Sequence, residues 1–374
     1  MTANPHEDTL ERICSGTIAA SSPEVDRTGA FPQQSIDALA ESGLLGALSA
    51  TAAGGLGLGL AGAVRVIRRV AEECGSTAMV AAMHYCGVAV IEAHAPIEVR
   101  RDAAAGRHLS TLAFSEAGSR SHFWAPESTA AAQNGHVVLN ARKSWITSAS
   151  HASAYVWSSR PLSAEGLSTI WLVPAGAPGL AVKGPFEGLG LRGNDSSPVE
   201  ASAVAVPASA MLGNDGQGFE IMMSVVLPVF SILNAACSAG LMAGALRRTG
   251  EHAAATRHAD TGAALCDLPT IRNYIARMRV KTSMVDALLG DTLAAIAAGR
   301  PDATLRVLEA KAAAGESSTE VLDLAMRVCG GAAFRKDVGV ERYFRDARAA
   351  GVMAPTTDVL YDFIGKAVCG MPLF

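Results

Sequence analysis

Residues 221–246 contain no Asp, Glu, Lys or Arg, so a helix in this stretch must be enclosed on all sides. Such a helix either spans a bilayer or forms the centre of a large helical domain. Ser224, Pro228, Ser231 and Asn234 lower the hydrophobicity of the stretch, and neither an aromatic belt nor a second such stretch accompanies it. We therefore expect the buried central helix of a helical domain, with a membrane span as the alternative.

Composition and charge narrow the class of protein. Of the 374 residues, 49% are hydrophobic and 18% are charged, which excludes a disordered protein and predicts two or three domains. The formal net charge is −4 and no basic cluster occurs, so neither nucleic acid nor an anionic membrane surface is an expected partner. The seven cysteines include no C-x-x-C pair, which predicts free thiols in a reducing compartment and no metal site. The polar N-terminus does not resemble a signal peptide, which indicates a cytoplasmic protein.

The hydrophobic period changes twice along the chain and divides it into three parts. Residues 61–73 place their apolar side chains on one helical face, and residues 78–93 are apolar nearly all round. After residue 108, short β-branched and apolar runs alternate with clusters of Pro, Gly, Asn and Ser, which predicts about six to eight strands. Helical periodicity returns near residue 218 and lasts to the C-terminus. We expect domains over 1–108, 109–216 and 217–374.

Four segments carry residues from which a ligand site can be built. Residues 112–119 end a predicted strand in a loop of small, hydrogen-bonding side chains, and residues 143–148 place an aromatic and a hydroxyl side chain two positions apart. Gly330 and Gly331 allow a backbone to approach a ligand closely, and residues 341–348 form a charged helical run. Each segment alone has an ordinary structural explanation: a core tryptophan, a turn or a solvated helix face.

In this order the four segments resemble the acyl-CoA dehydrogenase superfamily of flavoproteins. Residues 187–194, 206–207 and 212–219 extend the resemblance, which covers nearly the whole chain. It implies an α+β multidomain fold with an N-terminal α-helical domain, a central β-barrel-like domain and a C-terminal four-helix bundle. It also implies FAD bound between the β-domain and the C-terminal helices, an acyl thioester of CoA or of a carrier protein as substrate, and a homodimer or homotetramer.

The resemblance also assigns individual residues to the FAD site. They are Phe114, Ser115, Gly118, Ser119, Trp145, Thr147, Arg257, Gly330 and Gly331. By resemblance, Trp145 packs on the flavin and the Thr147 hydroxyl approaches flavin N5, while Arg257 reaches the FAD pyrophosphate of a neighbouring subunit and the glycine pair passes the adenosine end. These roles suit the chemistry, because a diphosphate binds arginine and free backbone N–H groups and a flavin binds an aromatic face.

The chain departs from the family at the catalytic base. Ordinary members remove the substrate α-proton with a glutamate just before the last helix, where the aligned residue is Ala354. Some members carry the glutamate on the long apolar helix instead, at a position that falls near Phe230 in this chain. A positioned base contributes about 10²- to 10⁴-fold to a rate, so its absence argues against ordinary α,β-desaturation. Phe230, Met353 and Ala354 are expected to line the substrate cavity.

Two residues are candidates for the missing catalytic function. Asp358, in the first turn of the last helix, is a surrogate base, with a helix-dipole role as the alternative. His84 lies in an otherwise apolar helix, where a histidine is ordinarily a hydrogen-bonded core residue. Superfamily members that use oxygen often place a histidine near the flavin, which makes His84 a candidate catalytic residue. His122 and His151 are further candidates of the same kind.

The sequence thus predicts an FAD-dependent oxidoreductase that acts on an apolar, thioester-activated substrate. The preferred interpretation is flavin–oxygen chemistry, in which the reduced flavin uses O₂ to oxygenate the substrate. One alternative is α,β-desaturation with a non-standard base and reoxidation by an electron-transfer flavoprotein or a reductase. A second alternative is a catalytically silent flavin- or thioester-binding subunit, against which the retained flavin residues argue.

Overall fold

The computed structural model describes residues 5–119 and 122–372. Its N-terminal part is helical, as predicted. The helices are α1 (Pro5–Ile13), α2 (Ala19–Thr28), α3 (Gln33–Glu41), α4 (Gly59–Ala71), α5 (Gly75–His94) and α6 (Ile97–Ala104). Helix α5 packs against α4, against the first strand of the central part and against the long helix that follows the strands. This central position explains why its sequence is apolar on nearly every face.

The described central part consists of two four-stranded sheets that face each other. The strands are β1 (Ser110–Ala113), β2 (Thr129–Gln133), β3 (His136–Ile146), β4 (Ala154–Ser159), β5 (Thr169–Pro174), β6 (Leu180–Val182), β7 (Ser197–Pro207) and β8 (Met211–Leu212). One sheet has the order β1-β4-β5-β8 and the other β2-β3-β7-β6. Trp157 and Trp171 of the first sheet share a core with Leu139 and Val204 of the second. The predicted β-domain is confirmed, and its shape is that of two facing sheets more than that of a barrel.

The C-terminal part is helical again. Its helices are α7 (Gly218–Ile221), α8 (Leu227–Ala255), α9 (Pro269–Ala297), α10 (Ala303–Cys329), α11 (Val340–Asp346), α12 (Arg348–Val352) and α13 (Thr357–Val368). Helices α8, α9 and α10 pack against one another, and α13 packs along α10. The predicted four-helix bundle is therefore confirmed.

Within residues 5–119 and 122–372, two helical segments are long and apolar enough to cross a membrane, namely Gly75–His94 and Gly218–Ala255. The sequence analysis identified only the second of them. In the fold, 78% of the most apolar 18-residue window of Gly75–His94 is buried inside the protein. For Gly218–Ala255 the buried share of that window is 61%. The uncharged stretch at 221–246 is thus enclosed by protein, because α8 lies between α4, α5, α9 and α10.

All three parts meet at Arg345 in α11. Its guanidinium binds both carboxylate oxygens of Asp26 in α2, at 2.9 and 2.6 Å, and donates to the Leu189 carbonyl of the central part at 3.1 Å. The adjacent Asp346 accepts from the Leu191 N–H at 2.6 Å, and burial raises the pKa of this carboxyl to about 6. This junction fixes residues 186–191 beside the C-terminal helices.

Candidate active site

A cavity of about 780 Å³ lies where the three parts meet. Its walls come from α5, the loop after β1, the end of β3, residues 186–191 and the segments around α8 and α12. Most of the lining side chains are apolar, with a few polar groups among them, and this size and composition are typical of sites for cofactors and small substrates.

One side of the cavity is polar. This polar wall consists of Thr147, Asn194 and Ser196, with Ser115 nearby in the lining. The Thr147 and Ser196 hydroxyls lie 3.1 Å apart. The Asn194 side-chain oxygen is buried and has no hydrogen-bond partner among the described residues. Because an orphaned buried acceptor is costly, it indicates a ligand that donates hydrogen bonds at this wall.

Trp145 stands beside the polar wall in an unusual backbone conformation. Its φ is 60°, in the left-handed region, at a point where the pairing of β3 with β7 is irregular. The side chain is 71% exposed although it is the largest aromatic group of the lining, and Phe186 meets it edge-on with 6.5 Å between ring centroids. A strained strand end that presents a bare aromatic face is suited to stack on a planar ligand.

Another part of the cavity lining is apolar. This apolar wall consists of Leu227, Phe230, Met353 and Ala354. The sequence analysis placed Phe230, Met353 and Ala354 at the substrate, and the structure brings them together in the lining. Both positions that the sequence analysis aligned with the family's glutamate therefore face the cavity, and both hold apolar residues.

Sequence reasoning missed the buried ion pair of Glu116 and Lys143. Lys143 Nζ lies 2.6 Å from Glu116 Oε1 and donates to the Ser158 carbonyl at 2.8 Å. Glu116 lines the cavity but also accepts from the Glu127 N–H at 2.6 Å and from the Ser128 hydroxyl. Burial raises the pKa of this carboxyl, but the Lys143 charge and the donors more than offset that effect, so the pKa is lowered. Glu116 is thus held as a structural anion and is a poor base.

Comparison with known proteins places this geometry in a family. Domain models of acyl-CoA dehydrogenase match the chain in the family's own order: the N-terminal domain at 5–104, the middle domain at 111–204 and the C-terminal domain at 216–369. This chain belongs to the acyl-CoA dehydrogenase superfamily. The membership was identified from the sequence motifs and is confirmed.

The relatives are distant but cover the whole fold. Cyclohex-1-ene-1-carbonyl-CoA dehydrogenase of Geobacter metallireducens is 26% identical, over 96% of each chain. The solved structure of butyryl-CoA dehydrogenase from Megasphaera elsdenii has a TM-score of 0.90 at 21% identity, over 99% of this chain and 100% of that one. The prolyl acyl carrier protein oxidase AnaB has a TM-score of 0.87 at 17% identity, over 98% and 100%. This acyl-CoA dehydrogenase family member is therefore an oxidoreductase.

FAD is the cofactor of this family member, and the polar side of the cavity fits it. Trp145, Thr147, Phe114 and Ser115, all predicted flavin residues, line the cavity. The orphaned Asn194 oxygen offers an acceptor to a flavin N–H, and the exposed Trp145 face offers a stacking surface.

Other predicted FAD residues do not line the cavity. A Cβ at Gly118 would come within 2.4 Å of a Glu127 carboxylate oxygen, and the Ser119 hydroxyl donates to the Glu116 carbonyl at 3.1 Å. These two residues shape the loop and are not in the lining. Arg257, Gly330 and Gly331 are exposed and also lie outside the lining, so within a single chain they do not contribute to this cavity.

The predicted catalytic role of Asp358 is not supported by its position. Asp358 is exposed and lies in a separate, smaller recess with His122, Asp362 and Lys366. It therefore keeps its simpler role as an acidic residue in the first turn of α13. His151 also lies outside the cavity, where its ring stacks on Phe31 with 3.9 Å between centroids.

The catalytic role predicted for His84 is wrong, because the side chain is enclosed in the core. It is 0% exposed and absent from the cavity lining. Its Nδ1 accepts from the Ser110 N–H at 3.1 Å, and its Nε2 faces the Leu45 carbonyl at 3.2 Å. Both ring nitrogens are thus used, and the ring joins α5 to β1. Burial lowers the pKa of His84 from 6.5 to about 3, so the imidazole is neutral.

This buried neutral imidazole predicts a loss of stability in acid. Between pH 6.5 and about 3 the unfolded chain binds a proton at His84 that the folded chain does not. The free energy of unfolding should therefore fall with decreasing pH, by at most about 1.4 kcal/mol per pH unit from this group. Urea unfolding at several pH values should show a shallower decrease for His84→Gln, whereas His136→Gln on the exposed start of β3 should retain the steep decrease. Parallel profiles for the wild type and His84→Gln would contradict the assignment.

Proposed function

We propose that this family member oxygenates an apolar acyl thioester of CoA or of a carrier protein. The observation that carries the proposal is the composition of the apolar wall, where Ala354 and Phe230 occupy both glutamate positions. Among the described residues, the carboxylates that line the cavity are Glu116 and Glu187. Glu116 is bound to Lys143, and Glu187 is exposed on the segment that carries Phe186. Neither belongs to the apolar wall, so removal of an α-proton there has no carboxylate to accept it.

The chain's own residues bind and orient the reactants. When bound, FAD supplies two-electron redox chemistry. Trp145 and Thr147 hold the planar cofactor, while Phe230 and Met353 surround the acyl group and exclude water. The Glu116–Lys143 pair fixes the loop after β1 between these two sites.

The proposed reaction balances with O₂ and an external electron donor. One oxygen atom enters the acyl substrate, and the other leaves as water with two protons. The two electrons come from a separate reductase of the reduced-flavin or nicotinamide class.

Desaturation with Glu187 as base is the second candidate. Glu187 is a carboxylate of the cavity lining without an ion-pair partner among the described residues, and relatives such as the Geobacter enzyme are named dehydrogenases. This candidate requires that the acyl group reach Glu187.

One anaerobic and one aerobic measurement distinguish the two candidates. Without O₂, butanoyl-CoA and octanoyl-CoA should leave the flavin absorbance of the oxidised holoenzyme unbleached over minutes. With ¹⁸O₂ and a chemical or enzymatic reductant, one labelled oxygen should enter the product from a panel of acyl-CoA and acyl-pantetheine thioesters. Rapid anaerobic bleaching without incorporation of label would establish desaturation and overturn the proposal.

A second copy of the chain is part of the proposal. Arg257, Gly330 and Gly331 are exposed on the surface of a single chain, although the family resemblance assigns them to FAD. In a homodimer or homotetramer these residues would complete the diphosphate and adenosine end of a neighbouring site. Phe334, which is 81% exposed next to the glycine pair, is a hydrophobic group that such an interface would cover.

A further inference from the structure

Lys311 is a buried cation directly behind the apolar wall. It lies in α10 and is 1% exposed. Its Nζ donates to the Met353 carbonyl at 3.0 Å and to the Pro355 carbonyl at 2.7 Å. The same Nζ lies 5.8 Å from the centroid of the Phe230 ring. A single ammonium group therefore contacts the backbone on both sides of Ala354 and the ring of Phe230.

This environment is unusual for a lysine. Buried lysines are ordinarily paired with a carboxylate, but Lys311 has no ion-pair partner among the described residues. Two backbone carbonyls and an aromatic face take the place of an anion. Burial lowers the pKa of Lys311 to about 7. The side chain is not in the cavity lining, so it does not reach a bound substrate and is not a hidden base.

The contacts of Lys311 hold part of the apolar wall, residues 353–355, in position. Met353 is held twice, since its carbonyl accepts from Lys311 and its sulfur accepts from the Asn234 side chain of α8 at 3.3 Å. Residues 353–355 follow α12 and carry few other tethers: the Met353 N–H bonds back to Ala349, and the Thr357 hydroxyl reaches the Gly351 carbonyl at 3.5 Å. Lys311 is therefore the described side chain that joins the backbone on both sides of Ala354 to α10 by hydrogen bonds.

We propose that Lys311 is a positioning residue that sets the acyl-chain specificity of the cavity by holding residues 353–355 against Phe230 of α8. The inference rests on the proposed function in one respect, namely that an acyl group occupies the apolar wall. Without the ammonium, residues 353–355 lose their hydrogen bonds to α10 and move outward. The cavity then lengthens at this wall and favours longer acyl chains.

The test measures binding and not turnover. Butanoyl-CoA and octanoyl-CoA are titrated anaerobically into holoenzyme, and Kd is read from the perturbation of the flavin spectrum. In Lys311→Met the Kd of butanoyl-CoA divided by the Kd of octanoyl-CoA should increase about tenfold, because the longer chain is then favoured. An effect of this size is typical of the discrimination between apolar groups in a pocket. Lys281→Met is the matched control, because Lys281 lies in the neighbouring α9 and forms an ion pair with Glu320 away from the cavity. It should leave the ratio unchanged.

A merely structural role for Lys311 has a different outcome. In that case Lys311→Met lowers the unfolding midpoint but leaves the Kd ratio at the wild-type value, and the proposal is overturned. If Lys311→Met does not fold, Lys311→Gln and Asn234→Val keep the test decisive, since each removes part of the tethering and should shift the ratio in the same direction. Binding reports on Lys311 whichever reaction follows, so failure of the oxygenase proposal appears in the ¹⁸O₂ experiment and failure of this inference appears in the Kd ratio.

Discussion

Ala354→Glu is expected to accelerate α,β-desaturation of an acyl-CoA thioester by about 100-fold or more, which is the lower end of what a positioned base contributes. Ala354 lines the apolar wall at the position where the family's sequence pattern carries its glutamate. The substitution places a carboxylate in an apolar environment, which raises its proton affinity and makes it a better base. The measurement is the rate of anaerobic bleaching of the bound flavin by butanoyl-CoA.

The control for this substitution is Ala349→Glu. Ala349 also lines the cavity, but it lies in α12 about one turn before Met353 and is not a base position of the family. Equal acceleration by both variants would show that any carboxylate in the cavity suffices, and no acceleration by Ala354→Glu in a protein that binds FAD and thioester would mean that the vacant base is not what prevents desaturation.

Glu116→Ala is expected to lower the free energy of unfolding by about 3–5 kcal/mol, because it leaves a buried lysine without its anion. The Lys143 and Glu116 side chains are 0% and 4% exposed. Burial lowers the pKa of Lys143 to about 8 even though Glu116 raises it. Without Glu116 the ammonium retains the carbonyl and hydroxyl of Ser158, at 2.8 and 3.0 Å, and the Trp157 ring at 5.2 Å. None of these is an anion, so the lysine must lose its proton or the loop must open.

Urea unfolding of a matched pair of variants tests this explanation. The double variant Glu116→Leu/Lys143→Met removes both charges and should recover part of the lost stability, as apolar replacement of buried ion pairs does elsewhere. Recovery is partial because the Glu127 N–H and the Ser128 hydroxyl still lack their acceptor. A recovery of stability would show that Glu116→Ala is unstable because the Lys143 charge is unpaired, and not because side-chain packing is lost. A double variant as unstable as Glu116→Ala would contradict the electrostatic explanation.

The sequence predicted elements and motifs better than side-chain environments. The change of hydrophobic period located β1, β3, β4, β5 and β7, but not the short strands β6 and β8. Strand β2 was missed because its alanine-rich sequence is mostly exposed and lacks the alternation of a half-buried strand. Trp145 was placed at the flavin from its motif, whereas its left-handed backbone follows from irregular pairing with β7, which a linear pattern does not contain.

The two errors about catalysis have a common physical cause. His84 and Asp358 were chosen for their chemistry within one helix, but a role near the flavin depends on which helix face meets the cavity. His84 faces Leu45 and Ser110, which are distant in sequence. The ion pair of Glu116 and Lys143 was missed for the same reason, since the partners lie on different segments and pair through the tertiary fold.

Because the three parts of the chain join at Arg345, the concentration of FAD in a cell should affect the amount of this protein. Since Asp26, Leu189 and Arg345 join the three parts beside the FAD cavity, a ligand bound there holds all three together. Such a ligand adds RT ln(1 + [L]/Kd) to the free energy of unfolding of every part at once. Cellular proteases remove chains in proportion to their unfolded fraction, so the amount of this protein that survives in a cell rises and falls with the concentration of free FAD.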